Sequence, residues 1–141
     1  MNNQQTPTVI FLRVTDNQTK IQRLGTTVQQ HFERGNRILI LVPNENAATF
    51  VNDLLWKQPK ESFLPHTKSS EECQDRVVIT TNQENLNDAT IAINLCESPI
   101  TNREKFERIY ELLDQTSASK EQQSHKKKAE YEQSGLQGVI A

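Results

Sequence analysis

The chain has 141 residues, enough for a single core, yet only 34% are hydrophobic and the mean hydropathy is −0.72, which places part of it, at the termini, outside that core. A net charge of −2 and a pI near 5.9 argue against strong, non-specific duplex binding, which needs a basic face that releases counterions from phosphate, and leave room only for a local basic patch. No apolar stretch approaches the roughly 20 residues of a bilayer-spanning helix.

Residues 1–7, with the polar start Met1-Asn2-Asn3-Gln4-Gln5, predict a flexible N-terminal arm ahead of one domain over 8–141. Thr8-Val9-Ile10-Phe11-Leu12-Arg13-Val14 reads as a strand buried on both faces. Asp16 or Asn17 can cap the following helix by accepting from its free backbone N–H groups. In that helix Ile21, Leu24, Val28 and Phe32 form one apolar stripe, and Gly35 supplies a left-handed C-cap. His31, late on this helix, is expected as a cation at the negative end of the dipole. Ile38 to Val42 is a second buried strand, ended by Pro43 and Asn44. A second helix then lays Ala47, Ala48, Phe50, Val51, Leu54 and Leu55 on its inner face and ends near Trp56. Strand, helix, strand, helix in this order implies parallel strands joined by crossovers.

Thr67 to Asp75 reads as a polar loop, Arg76 to Thr80 as a third strand and Ile91 to Leu95 as a fourth. Phe106 to Leu113 fits either a helix, through Phe106, Ile109 and Leu113, or a short strand over Ile109 to Leu113; periodicity does not choose between them. Beyond Asp114 the chain is polar, with a helical segment at about 116–134. Ala118, Gln122, His125 and Ala129 share one of its faces and bury little. Tyr131, Leu136, Val139 and Ile140 would hold it, so it is expected to be the least stable element.

Chemistry is sparse. No G-x-G-x-x-G or G-x-x-x-x-G-K-[ST] follows a strand, and Arg13-Val14-Thr15-Asp16-Asn17 stands where a phosphate cradle would be. Ser62 and His66 lack a nucleophile elbow. Glu71, Glu72, Glu104 and Glu107 have no apolar setting to separate their pKa values. Cys73 and Cys96 fall outside CxxC spacing, no histidine stands at zinc-ligand distance from either, and the N-terminus is not signal-like. No metal or cofactor is expected, and a reducing, cytoplasmic compartment is.

Two features remain. Leu54-Leu55-Trp56-Lys57-Gln58-Pro59-Lys60-Glu61-Ser62-Phe63-Leu64-Pro65-His66 places the only Trp and a Phe where a helix gives way to a loop. Such rings either cap the sheet edge or form a groove for a partner's apolar side chains. His125-Lys126-Lys127-Lys128, followed by Tyr131, is either a solvated charge run or a receptor for an acidic peptide.

Gly35-Asn36-Arg37 before a strand, a helix ending Leu55-Trp56, then Pro59, Ser62-Phe63, Pro65 and His66 resemble the chi subunit family of bacterial DNA polymerase III. Weaker similarity runs through the strands near Val78 and Ile93 to Tyr131 and Gly135, and favours the strand reading of Ile109 to Leu113. The resemblance implies an α/β fold: a Rossmann-like three-layer sandwich with a mostly parallel central sheet and no glycine-rich nucleotide loop. It implies a non-catalytic replication and repair adaptor, cytoplasmic and nucleoid-associated through its partners, touching DNA only indirectly. One partner, a psi-like clamp-loader subunit or a helicase, would bind at Trp56, Pro59, Phe63 and Leu64. The other would be the acidic C-terminal tail of single-stranded-DNA-binding protein. The family's final helix carries an Arg and an aromatic where an ungapped alignment from Gly135 places His125 and Lys128. The expected tail receptor is therefore His125, Lys126, Lys127, Lys128 and Tyr131. The alternatives are a divergent Rossmann-like nucleotide-binding enzyme and a stand-alone single-strand DNA binder.

Overall fold

The computed structural model describes residues 6–57 and 64–141. Along them run β1 (Thr8–Val14), α1 (Asn17–Glu33), β2 (Ile38–Leu41), α2 (Glu45–Lys57), β3 (Thr67–Lys68), β4 (Val77–Thr80), β5 (Ile91–Asn94), β6 (Arg108–Asp114), α3 (Ala118–Gln133) and β7 (Gly138–Ile140). The strands make one sheet in the order β3-β4-β2-β5-β6-β1-β7, and every adjacent pair is parallel. Parallel neighbours need crossovers, which cover the sheet and make its inner strands apolar on both sides.

That is why β2 is wholly aliphatic and β4 and β5 are aliphatic up to their last residues, Thr80 and Asn94. Ile38, Ile40, Val77, Ile79, Ile91 and Ile93 face one side, where α1 and α2 place Leu24, Val28, Val51, Leu54 and Leu55. Leu39, Leu41, Val78 and Ala92 face the other with Val9, Phe11 and Ile109, under Ile100, Phe106, Tyr131 and Leu136. The sheet thus divides two cores, and the expected α/β sandwich is the observed one. Each fully buried aliphatic or phenyl side chain stabilises it by about 1.5–3 kcal/mol.

Local chemistry sets the helix ends. Asp16 is the cap of α1, accepting from the Thr19 N–H at 2.7 Å. Gly35, at φ +85°, ends that helix in a conformation that side chains with a Cβ disfavour. Asn44 starts α2 by accepting from the Ala47 N–H at 2.8 Å. Ser117 starts α3, accepting from Lys120.

Of the ambiguous segment 106–113, the part from Arg108 onward resolves as strand β6. The expected polar loop after Pro65 contains the two-residue edge strand β3, and the C-terminal residues form β7 beside β1. Phe50, expected on the inner face of α2, is 54% exposed. Residues 1–5 of the expected N-terminal arm lie outside the described residues, whereas Pro7, directly before β1, is buried. Among the described residues no helix is long and apolar enough to cross a membrane.

His31 also departs from expectation. It points into the protein rather than to the helix end, with Nε2 at 2.6 Å from the Tyr110 hydroxyl and Nδ1 at 2.9 Å from the Asn36 amide nitrogen. Because the amide can only donate, Nδ1 accepts and the ring proton sits on Nε2, donated to Tyr110. Burial first, then Arg108 and Arg34, push its pKa down to about 4. The ring is neutral, not a cation on the helix dipole.

Candidate partner-binding sites

Trp56 occupies the last turn of α2. The apolar stripe of this helix fixes Val51, Leu54 and Leu55 inward, which turns position 56 away from the core. Its indole is 57% exposed. The ring centroid lies 4.6 Å from that of His66, with the planes tilted by 55°. His66 is itself positioned between two backbone carbonyls, 2.7 Å from Leu64 and 3.1 Å from Asn52. The imidazole therefore ties the segment ahead of β3 to α2 and forms a platform for the indole.

Leu64, expected to offer its side chain to a partner, does not. It is 1% exposed and packed in the core under α1 and α2. The physical reason is its place in the chain: it lies just ahead of β3 and shares one core cluster with Leu54 and Leu55. Its role is to anchor the segment that carries His66. Pro59 and Phe63 lie outside the described residues.

The expected acidic-peptide receptor on α3 separates into two parts. Tyr131 is fully enclosed; its hydroxyl donates to Glu111 Oε2 at 2.5 Å and accepts from the Ile100 N–H at 2.9 Å. Lys127 reaches inward too, donating to Glu111 Oε1 at 2.9 Å and to the Cys96 carbonyl at 2.7 Å. Asn94 completes the cluster, donating to Glu111 Oε2 at 2.7 Å and to the Ser98 carbonyl at 2.8 Å. Burial raises the Glu111 pKa; Lys127, and hydrogen bonds from Lys127, Tyr131 and Asn94, pull it back. Burial beside Glu111 holds the Tyr131 hydroxyl well above the ordinary phenol range. Tyr131 and Lys127 are thus corrected from ligand contacts to internal fasteners, because a buried carboxylate demands their donors.

His125, Lys126 and Lys128 remain on the outer side. His125 and Lys126 are exposed. His125 lies 3.7 Å from Glu121 and Lys128 3.0 Å from Glu132, both one turn away on the same helix. The Lys128 stem runs past Gly138 of β7, where an added Cβ would come within 3.2 Å of it. This outer strip is a mixed-charge ridge in which Lys126 forms no ion pair among the described residues.

Sequence reasoning missed Glu111, Asn94 and Lys127 as one unit. The one available signal was a carboxylate in the apolar run Ile109-Tyr110-Glu111-Leu112-Leu113, in a strand with neighbours on both sides. Among the described residues no group of His, Cys, Asp and Glu is arranged to hold a metal.

Comparison with known proteins adds one finding. The model of the family described as DNA polymerase III chi subunit, HolC, matches residues 7–138, nearly the whole chain. No curated protein matches the sequence.

Proposed function

The chain belongs to the DNA polymerase III chi subunit family, which gives it an accessory role in that polymerase, and from that premise we propose that it is a non-catalytic adaptor with two contact faces. The Trp56 end of α2 takes a psi-like clamp-loader subunit or a helicase. The outer ridge of α3, through Lys126 with His125 and Lys128, takes the acidic C-terminal tail of single-stranded-DNA-binding protein. Linking two modest contacts in one body raises the local concentration of each partner near the other.

The observation that carries this reading is the 57% exposed indole of Trp56 on its His66 platform. A large ring held in one place at the surface loses little entropy on being covered, which is what a binding anchor requires. The loop positions Pro59 and Phe63 belong to the same proposed face.

The experiment is co-purification from cells with tagged wild-type and Trp56→Ala proteins. The variant should keep its fold and lose its clamp-loader or helicase partner. Full retention of that partner by Trp56→Ala would refute the assignment of this face.

A further inference from the structure

At the carboxyl ends of β1 and its neighbour β6 the chain leaves the sheet in opposite directions. β1 feeds α1 on one face, and β6 feeds α3 on the other. Where such connections diverge, a gap opens in a parallel sheet, and helix N-termini border it. Beside this divergence, over the carboxyl ends of β5 and β6 and between α1, α2 and α3, lies a crevice of about 300 Å³, the lower end of the range for small-molecule sites.

Its floor is apolar, made by Leu24 of α1, Val51 of α2, Leu95 just past β5 and Leu112 of β6, with the ring of Phe50 in its wall. The misplaced Phe50 is therefore part of a built recess rather than an isolated exposed ring. Three lysines line the same space, Lys20, Lys120 and Lys127, together with the acidic residues Glu97 and Asp114. Two are committed: Lys20 to Asp114 at 2.8 Å and Lys127 to the buried Glu111 at 2.9 Å. Lys120, in the first turn of α3, forms no ion pair among the described residues.

We propose that this crevice binds a small organic anion with a single-ring apolar body. Its carboxylate meets Lys120, and its ring lies over Val51 and Leu95 against Phe50. Glu97 on the rim opposes the anion and sets the limit on its affinity. The inference does not rest on the adaptor reading: Trp56, His125, Lys126 and Lys128 do not line this space.

The test is titration of the isotopically labelled full chain with 3-phenylpropionate, followed by amide NMR shifts. The neutral 3-phenylpropionamide and the cationic 2-phenylethylammonium serve as comparisons. Saturable shifts are expected at Leu95, Cys96 and Leu112. Loss of one charge-assisted contact is worth about tenfold in affinity, so the amide and the Lys120→Gln variant should each bind about tenfold more weakly. Glu97→Gln should bind the anion more tightly. Both variants alter exposed side chains, so folding is retained. Absence of saturable shifts, equal binding of all three compounds, or variant effects that are nil or reversed in sign would overturn the proposal.

Discussion

The Tyr131 hydroxyl donates to Glu111 at 2.5 Å with both side chains sealed from solvent, so α3 is fastened to β6 by polar contacts as much as by apolar ones. Removing that hydroxyl strips Glu111 of one donor and leaves the Ile100 N–H without its acceptor. Tyr131→Phe should therefore lower unfolding stability by about 1–3 kcal/mol or more, the cost of orphaned buried polar groups, read from urea denaturation. Lys127→Met, which leaves the carboxylate without its cation, should cost about 3–5 kcal/mol. The double variant Glu111→Leu with Lys127→Met should cost less than Lys127→Met alone, because no charge is left uncompensated. Additive losses would show that the two residues act separately.

His31 predicts the acid limb of the stability curve. Its folded pKa of about 4 lies below the unfolded value near 6.5, so the unfolded chain binds the proton more readily between those limits. The stabilisation is complete above about pH 6.5 and is lost as pH falls toward 4. The slope contributed by this one group reaches at most about 1.4 kcal/mol per pH unit. Denaturant midpoints measured across that window should fall with acidification, and His31→Gln should flatten the fall.

Leu64 and Trp56 should behave as opposites despite their nearness in sequence. Leu64→Ala opens a cavity in the core and should destabilise by about 2–5 kcal/mol. Trp56→Ala, on the surface, should shift stability by about 0.5 kcal/mol or less while removing partner binding. Thermal unfolding and pull-down on the same two variants check the contrast.

For the α3 ridge, Lys126→Glu with Lys128→Glu should weaken binding of a synthetic acidic peptide, and the wild-type affinity should fall as salt rises, since exposed charges are screened within about 8–10 Å at physiological ionic strength. Fluorescence anisotropy at low and high salt reads both effects. Salt-independent binding would place the peptide elsewhere.

The sheet's centre was legible because β2 and β4 are aliphatic runs bounded by polar residues, and α1 because its stripe repeats every three to four positions. Phe50 misled because it stands beside Val51 in a helix that has apolar residues on more than one side. The edge strands β3 and β7 escaped because they are two and three residues long; their pairing is a property of the assembled sheet, not of their own sequence. Glu111 was hidden for a related reason: its cation lies sixteen residues further on, beyond the reach of any local pattern. For Trp56 the sequence left a sheet-edge cap and a partner groove both open; the periodicity of α2, which turns Leu54 and Leu55 inward, agrees with its exposure. The burial of Leu64 was not readable, since a lone leucine between Phe63 and Pro65 carries no periodic pattern that assigns it a face.

The position of β1 has a consequence for synthesis. This first strand has β6 on one side and β7 on the other, with Thr8 opposite Arg108 and Val9 opposite Gly138. On the ribosome it must wait for roughly a hundred residues before its earliest neighbour emerges. Throughout that interval a run bearing Val9, Phe11 and Leu12 has no sheet to join, which is the situation in which nascent chains recruit chaperones or associate wrongly.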